Sequence, residues 1–189
     1  MKIGVLALQG AFREHCWMLE NCGAIAVEIR KAEELDDVVG LIIPGGESTT
    51  IGKLMEEWGF MEKVKLRARQ GMAIYGTCAG MIMLAKEIVG SAQPRLGLMD
   101  IIVKRNAFGR QRESFEAIMS VPEFGKEPMQ AVFIRAPYIE EAGKGVKVMA
   151  RVNEKIVIAR QDKMLVTAFH PELTKDDRVH NYFISMIKE

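Results

Sequence analysis

The sequence predicts an α/β fold: a single domain, residues 1–189, with a mostly parallel central sheet flanked by helices and antiparallel strands added in its second half. Three observations lead there. The first half alternates short apolar runs with helical segments, the rhythm of βαβ units whose strands are covered on both faces. Residues 72–84 run from an apolar strand through a glycine-bracketed turn into a helix. After residue 115 the rhythm changes to short strands at close spacing, as expected of antiparallel or mixed pairing.

Residues 3–8 form the first apolar run and read as a strand. Residues 11–22 read as a helix, with Phe12, Leu19 and Cys22 among its apolar positions. Residues 24–29 and 41–43 are the next strands. Two loops follow strand ends, where ligands bind in sheets of this kind. One is Leu8-Gln9-Gly10-Ala11. The other is Pro44-Gly45-Gly46-Glu47-Ser48-Thr49-Thr50, which opens a helix around residues 51–58. Its two glycines can present bare backbone N–H groups to an anion or oxyanion. As a plain turn it would use Ser48 or Thr49 as the helix N-cap. It lacks the Gly-Lys-Ser/Thr of a Walker A loop.

Residues 60–69 read as an amphipathic helix with a basic, solvated outer face. Residues 97–103 hold a strand that ends in Lys104-Arg105-Asn106-Ala107-Phe108-Gly109-Arg110-Gln111, a polar loop whose guanidinium forks suit a carboxylate. Residues 115–121, 131–135, 146–152, 155–160 and 164–169 are the later strands, with a hairpin turn at Val152-Asn153-Glu154-Lys155. Residues 176–188 close the chain as a helix with Val179, Phe183 and Ile187 on one side.

The organising stretch is residues 72–84. Gly76 and Gly80 bracket Cys78 between a strand and a helix. This is the setting of a nucleophile elbow, with Cys in place of Ser. So tight a turn needs neighbours without a Cβ. A helix N-terminus favours a thiolate at Cys78. Taken alone, the stretch fits a buried structural cysteine about equally well. A second element changes the balance. His170 and Glu172 flank Pro171, which favours an extended His170. On an extended segment, residues two apart project to one side. Glu172 then holds one imidazole nitrogen while the other faces a nucleophile, the general logic of a Cys–His pair with an acidic orienter.

Composition sets bounds. The chain is 49% hydrophobic and 27% charged with a net charge of +1, which gives no pull toward nucleic acid or membrane. Its three cysteines form no disulfide framework, and Cys16 and Cys22, six apart, would not share a helix face. The three histidines are scattered and no metal site is expected. No run has the length of a membrane span and the N-terminal apolar run is too short for a signal peptide, so a cytoplasmic protein is expected.

Gly76-Thr77-Cys78-Ala79-Gly80 together with His170-Pro171-Glu172 resembles the class I (triad) glutamine amidotransferases, a flavodoxin-like α/β superfamily. Leu8-Gln9-Gly10-Ala11, Gly45-Gly46-Glu47-Ser48-Thr49-Thr50, the Arg105 to Gln111 block and Phe133-Ile134-Arg135-Ala136-Pro137 are similar to the glutaminase subunits of pyridoxal 5′-phosphate synthases. The resemblance covers nearly the whole chain. It implies a triad of Cys78, His170 and Glu172, an oxyanion hole from the backbone of Gly46 and Ala79, and a glutamine site of Gly46, Glu47, Ser48, Arg105, Ile134 and Arg135. It also implies a partner synthase subunit that takes the ammonia and builds pyridoxal 5′-phosphate from ribose 5-phosphate and glyceraldehyde 3-phosphate. Pyridoxal phosphate is then the partner's product, and no cofactor is expected here. Gln9 and its loop are expected at the docking face, with weak glutaminase activity until the synthase docks. Two alternatives stand beside this reading: a glutaminase serving another ammonia-using synthase, and a non-catalytic α/β protein that keeps the elbow cysteine.

Overall fold

The computed structural model describes residues 1–106 and 114–189, so Ala107 to Gln111 of the arginine loop lie outside the described residues. The apolar runs of the first half become strands Lys2–Leu6 (β1), Ile25–Ile29 (β2), Gly40–Ile43 (β3) and Ala73–Thr77 (β4). Helices Phe12–Asn21 (α1), Ser48–Glu57 (α2), Phe60–Arg69 (α3) and the short Ala79–Leu84 (α4) connect or follow them. The second half supplies Ala85–Ile88 (β5), Met99–Lys104 (β6), Ser114–Met119 (β7), Met129–Ile134 (β8), Tyr138–Ala142 (β9), Lys147–Val152 (β10), Lys155–Gln161 (β11) and Met164–Thr167 (β12). Arg178–Lys188 (α5) closes the chain.

The main sheet has the order β2-β1-β3-β4-β12-β11-β9-β6-β5, with β10 added to β11. From β2 to β12 every pairing is parallel. Beyond β12 the pairings turn antiparallel until β5 joins β6 in parallel. β3 and β4 are buried along their whole length, as continuously apolar strands inside a parallel sheet should be. β7 and β8 form a separate antiparallel hairpin. The mixed second half therefore holds one strand, β12, that returns to the parallel half and lies beside β4.

This topology places the candidate loops. β1, β3, β4 and β12 are successive neighbours running the same way, so their carboxyl ends share one rim. The strand order also reverses at β1 and β3, where a crevice opens in doubly wound sheets.

Four local readings differ from the sequence expectation. Ala85 was expected to continue the helix after Gly80 but opens β5, and β9 was not expected. Helix α2 begins at Ser48 with Glu47 as its N-cap, so neither Ser48 nor Thr49 caps it. Pro171–Leu173 is a single 3-10 turn, so His170 and Glu172 do not lie on an extended strand end. The hairpin turn between β10 and β11 is as expected, with Asn153 and Glu154 both at positive φ, as a two-residue type I′ turn requires.

The core holds an unusual polar element. His15 on α1 and His180 on α5 are fully buried and meet over the ring of Tyr75. Burial lowers the His15 pKa against the opposing pull of Glu172. Burial, with repulsion from His15, pushes His180 down to about 3. Both rings are therefore neutral in the folded protein. The unfolded chain takes up protons below about pH 6.5 that the folded chain refuses, so stability is present above that value and falls as pH drops below it.

A Cβ on Gly80 would overlap the carbonyl oxygen of Ile43, so Gly80→Ala should destabilise by roughly 2–4 kcal/mol in urea unfolding. Gly23→Ala, at φ 77° but with open space around it, should lose only about 1 kcal/mol. Between about pH 7 and 5 the melting temperature should fall by roughly 4 °C or more, and His180→Gln should flatten that fall. An unchanged slope in that variant would remove His180 from the account.

Candidate active site

Cys78 follows β4 directly. It has φ 48° and ψ −99°, a strained conformation for a residue with a side chain. The strain is held on both sides. The Cys78 N–H donates to the Thr167 carbonyl at 2.8 Å, and the Cys78 carbonyl accepts from Ile82 at 3.3 Å. Gly76 lies so close to Gly80 that a Cβ on Gly76 would meet the Gly80 carbonyl. Helix α4 is only six residues long, so its effect on the thiol is confined to the first-turn N–H groups rather than to a long dipole.

His170 sits just beyond β12, the strand paired with β4. Its backbone N–H donates to the Val132 carbonyl at 2.8 Å, which ties it to β8. The 3-10 turn then folds Glu172 back, and the His170 Nδ1 lies 2.7 Å from Glu172 Oε1. That leaves Nε2 for Cys78. Gly45 makes room for the ring, since any Cβ there would collide with it. Cys78, His170 and Glu172 are 8%, 7% and 3% exposed, so this chemistry is set in a nearly dry corner. Burial opposes a charge on His170. Hydrogen bonding and charge attraction to Cys78 and Glu172 outweigh it and raise the imidazole to about 10. Burial likewise opposes the Glu172 carboxylate, yet His15 and His170 bring its pKa below the ordinary value.

Cys78 and His170 border a cavity of about 450 Å³ that is also lined by Gly46, Glu47, Ser48, Arg105, Ile134 and Arg135. Every predicted side-chain site residue except Glu172, which stands behind His170, thus meets this one space. Ile134 and Arg135 arrive on the β8 hairpin end, and the Cys78 thiol lies 3.9 Å from the Ile134 carbonyl. Arg105 Nη1 donates to Gln93 Oε1 at 2.8 Å and to Thr49 Oγ1 at 3.4 Å. Ser48 Oγ also donates to Gln93, at 3.3 Å, so its hydroxyl is turned toward Gln93. The Glu47 N–H donates to Gln9 Oε1 at 2.7 Å, and Ala11 N–H to the Gly45 carbonyl at 3.1 Å. The first loop therefore clasps the second. A larger and more open groove of about 710 Å³ lies between β7 and β10, but no cysteine or histidine lines it.

The sequence reading missed Gln93, which braces Arg105, and the buried pair His15 and His180 behind Glu172. Helical spacing held a signal for the pair. His15 lies four residues before Leu19, and His180 three before Phe183, so each sits on the apolar face of its helix. Gln93 lies in an irregular loop where no period applies.

Residues 5–189 match the SNO glutamine amidotransferase family. A relative from Pelotomaculum thermopropionicum named "Pyridoxal 5'-phosphate synthase subunit PdxT" is 63% identical over 97% of this chain and 94% of its own. One of the same name from Desulforamulus reducens is 60% identical over the whole of both chains. A solved structure titled "Crystal structure of glutamine amidotransferase" superposes with a TM-score of 0.94 at 52% identity, covering 99% of each chain. The cysteine elbow, the His-Glu turn and the cavity they share thus occur in a chain that belongs to the SNO glutamine amidotransferase family.

Proposed function

We propose that this chain hydrolyses L-glutamine to L-glutamate and ammonia through Cys78, His170 and Glu172, and passes the ammonia to a pyridoxal 5′-phosphate synthase subunit. The observation that carries the chemistry is the 2.7 Å contact between His170 and Glu172, with His170 and Cys78 lining the same cavity. The partner is supported by the names of the full-length relatives. In this reading residues 1–189 act as one glutaminase unit. A cytoplasmic setting suits three cysteines that are all free, as expected in a reducing compartment.

A free thiol is only a few per cent thiolate at neutral pH, so the nucleophile needs a base. His170 takes the thiol proton, and the imidazolium is stabilised by Glu172. The sulfur attacks the side-chain amide carbon and the C=O electrons move onto oxygen. The Ala79 N–H, at the open N-terminal end of α4, and the Gly46 N–H receive that oxyanion; each such donor is worth roughly 3–4 kcal/mol. When the carbonyl reforms, the C–N bond breaks and His170 gives its proton to the leaving nitrogen, which departs as ammonia. Water then attacks the γ-glutamyl thioester with His170 as base, releasing glutamate and restoring the thiol. Glu47 pairs with the substrate ammonium, Arg105 and Arg135 with its carboxylate, and Ser48 and Ile134 complete the pocket.

The clasp of Gln9 on Glu47 bears on control. It fixes the loop that must supply the Gly46 donor, and it lies at the cavity mouth where a partner can reach it.

Cys78→Ala should lower glutamine hydrolysis by about 10⁴-fold or more while far-UV circular dichroism and synthase binding stay as in the wild type. Residual turnover near the wild-type rate would refute the nucleophile. Glutamine hydrolysis by the wild-type chain should rise at least about tenfold on adding a synthase that uses ribose 5-phosphate, measured as glutamate released. Stimulation by a different ammonia-using synthase instead would reassign the partner.

A further inference from the structure

Behind the proposed triad runs a chain of buried polar groups. Glu172 Oε1 faces His170, and Glu172 Oε2 faces His15 Nε2 at 3.4 Å, with both side chains fully buried. His15 Nε2 is also 3.1 Å from Thr77 Oγ1, and His15 Nδ1 is 2.9 Å from His180 Nε2. Among the described residues, Glu172 Oε2 makes no hydrogen bond, its approach to His15 Nε2 being an electrostatic contact, and His180 Nδ1 has no partner.

One arrangement of protons fits these contacts. A carboxylate oxygen only accepts. If His15 Nε2 were bare, its lone pair would face the buried carboxylate oxygen Oε2, so we place the proton on Nε2, bonded to Thr77 Oγ1 with Oε2 alongside at 3.4 Å. A neutral His15 then has a bare Nδ1, which accepts from the Nε2–H of His180. His180 Nδ1 is left without a proton. An unpaired buried acceptor is less costly than an unpaired N–H, which agrees with the atom found alone.

We propose that His15 is a positioning residue for the triad: its Nε2–H, oriented by His180, holds the rear oxygen of Glu172 so that the front oxygen keeps the His170 ring aimed at Cys78. This rests on the glutaminase reading above. It gives α1 and α5, which contribute no residue to the cavity chemistry, a direct hold on the base. The groups that face this chain are His170, Tyr75 on β4 and Glu14 on α1. None of them supplies Oε2 with a hydrogen-bond donor.

The test uses the complex of this chain with the synthase, comparing His15→Leu with His15→Gln, whose side-chain nitrogen keeps a donor. His15→Leu should lower kcat by about 10- to 100-fold with KM for glutamine within about twofold. Without the rear donor, Glu172 takes up a proton at higher pH, so the acid limb of the kcat/KM profile should move up by roughly half a unit or more. His15→Gln should recover most of kcat and return the limb. Equal losses in both variants with an unmoved limb would reduce His15 to core packing and overturn the proposal. A direct reading on the wild-type chain does not depend on the variants folding: nitrogen-15 NMR of labelled histidines should find His15 and His180 neutral and protonated at Nε2. A proton on His15 Nδ1 would overturn the proposal. Absence of any synthase-stimulated hydrolysis in the wild type would instead sink the glutaminase reading, while the NMR result would still stand.

Discussion

The parallel pairing of β4 with β12 sets Thr77 opposite Thr167, and this register carries the chemistry of the rim. One residue past Thr77 is Cys78, whose N–H is bonded to the Thr167 carbonyl itself. Three residues past Thr167 is His170. Two segments about ninety residues apart in sequence are thus brought within reach by backbone hydrogen bonds, before any side chain is considered. The apolar content of β4 and β12 drives that pairing, because both strands are buried. A slip by one residue would turn every side chain to the opposite face of the sheet and separate sulfur from imidazole.

The second dependency is electrostatic. Glu172 is an almost fully buried carboxylate, and an isolated buried charge is strongly disfavoured. It stays ionised because imidazoles lie on two sides of it. The two histidines in contact with Glu172 and His180 behind them differ by their surroundings. His170 is held near charge and raised to about 10, whereas His180, apart from any close carboxylate, is driven to about 3. One residue type is thus held charged in front and neutral behind.

Much of this was legible in the sequence, for reasons that can be named. The glycines around Cys78 announce close backbone approach, and the packing of Gly76 on Gly80 and of Gly80 on Ile43 is that approach. His170 does meet Glu172 and share a cavity with Cys78, but through a different local geometry: Pro171 opens a 3-10 turn, and the turn rather than an extended backbone brings Glu172 to Nδ1. Strand β5 was hidden because Ile82, Leu84 and Ala85 continue a helical-looking apolar pattern. β9 was hidden because Glu140 and Glu141 break the alternation expected of a strand. Gln93 was hidden because it lies in an irregular loop, and for the two buried histidines helical spacing marks burial but not the tertiary contacts they make.

The far wall of the cavity is built differently from its floor. Sulfur, imidazole and carboxylate are anchored to the main sheet, while Ile134 and Arg135 come from the two-stranded β7–β8 unit. The stacked rings of Phe115 and Phe133 stiffen that unit from within, and Phe133 rests against Phe169 just before His170. Changes to the shape of the mouth can therefore accumulate on the hairpin while the reacting atoms keep their places, so that what is admitted and what is done to it are open to separate selection.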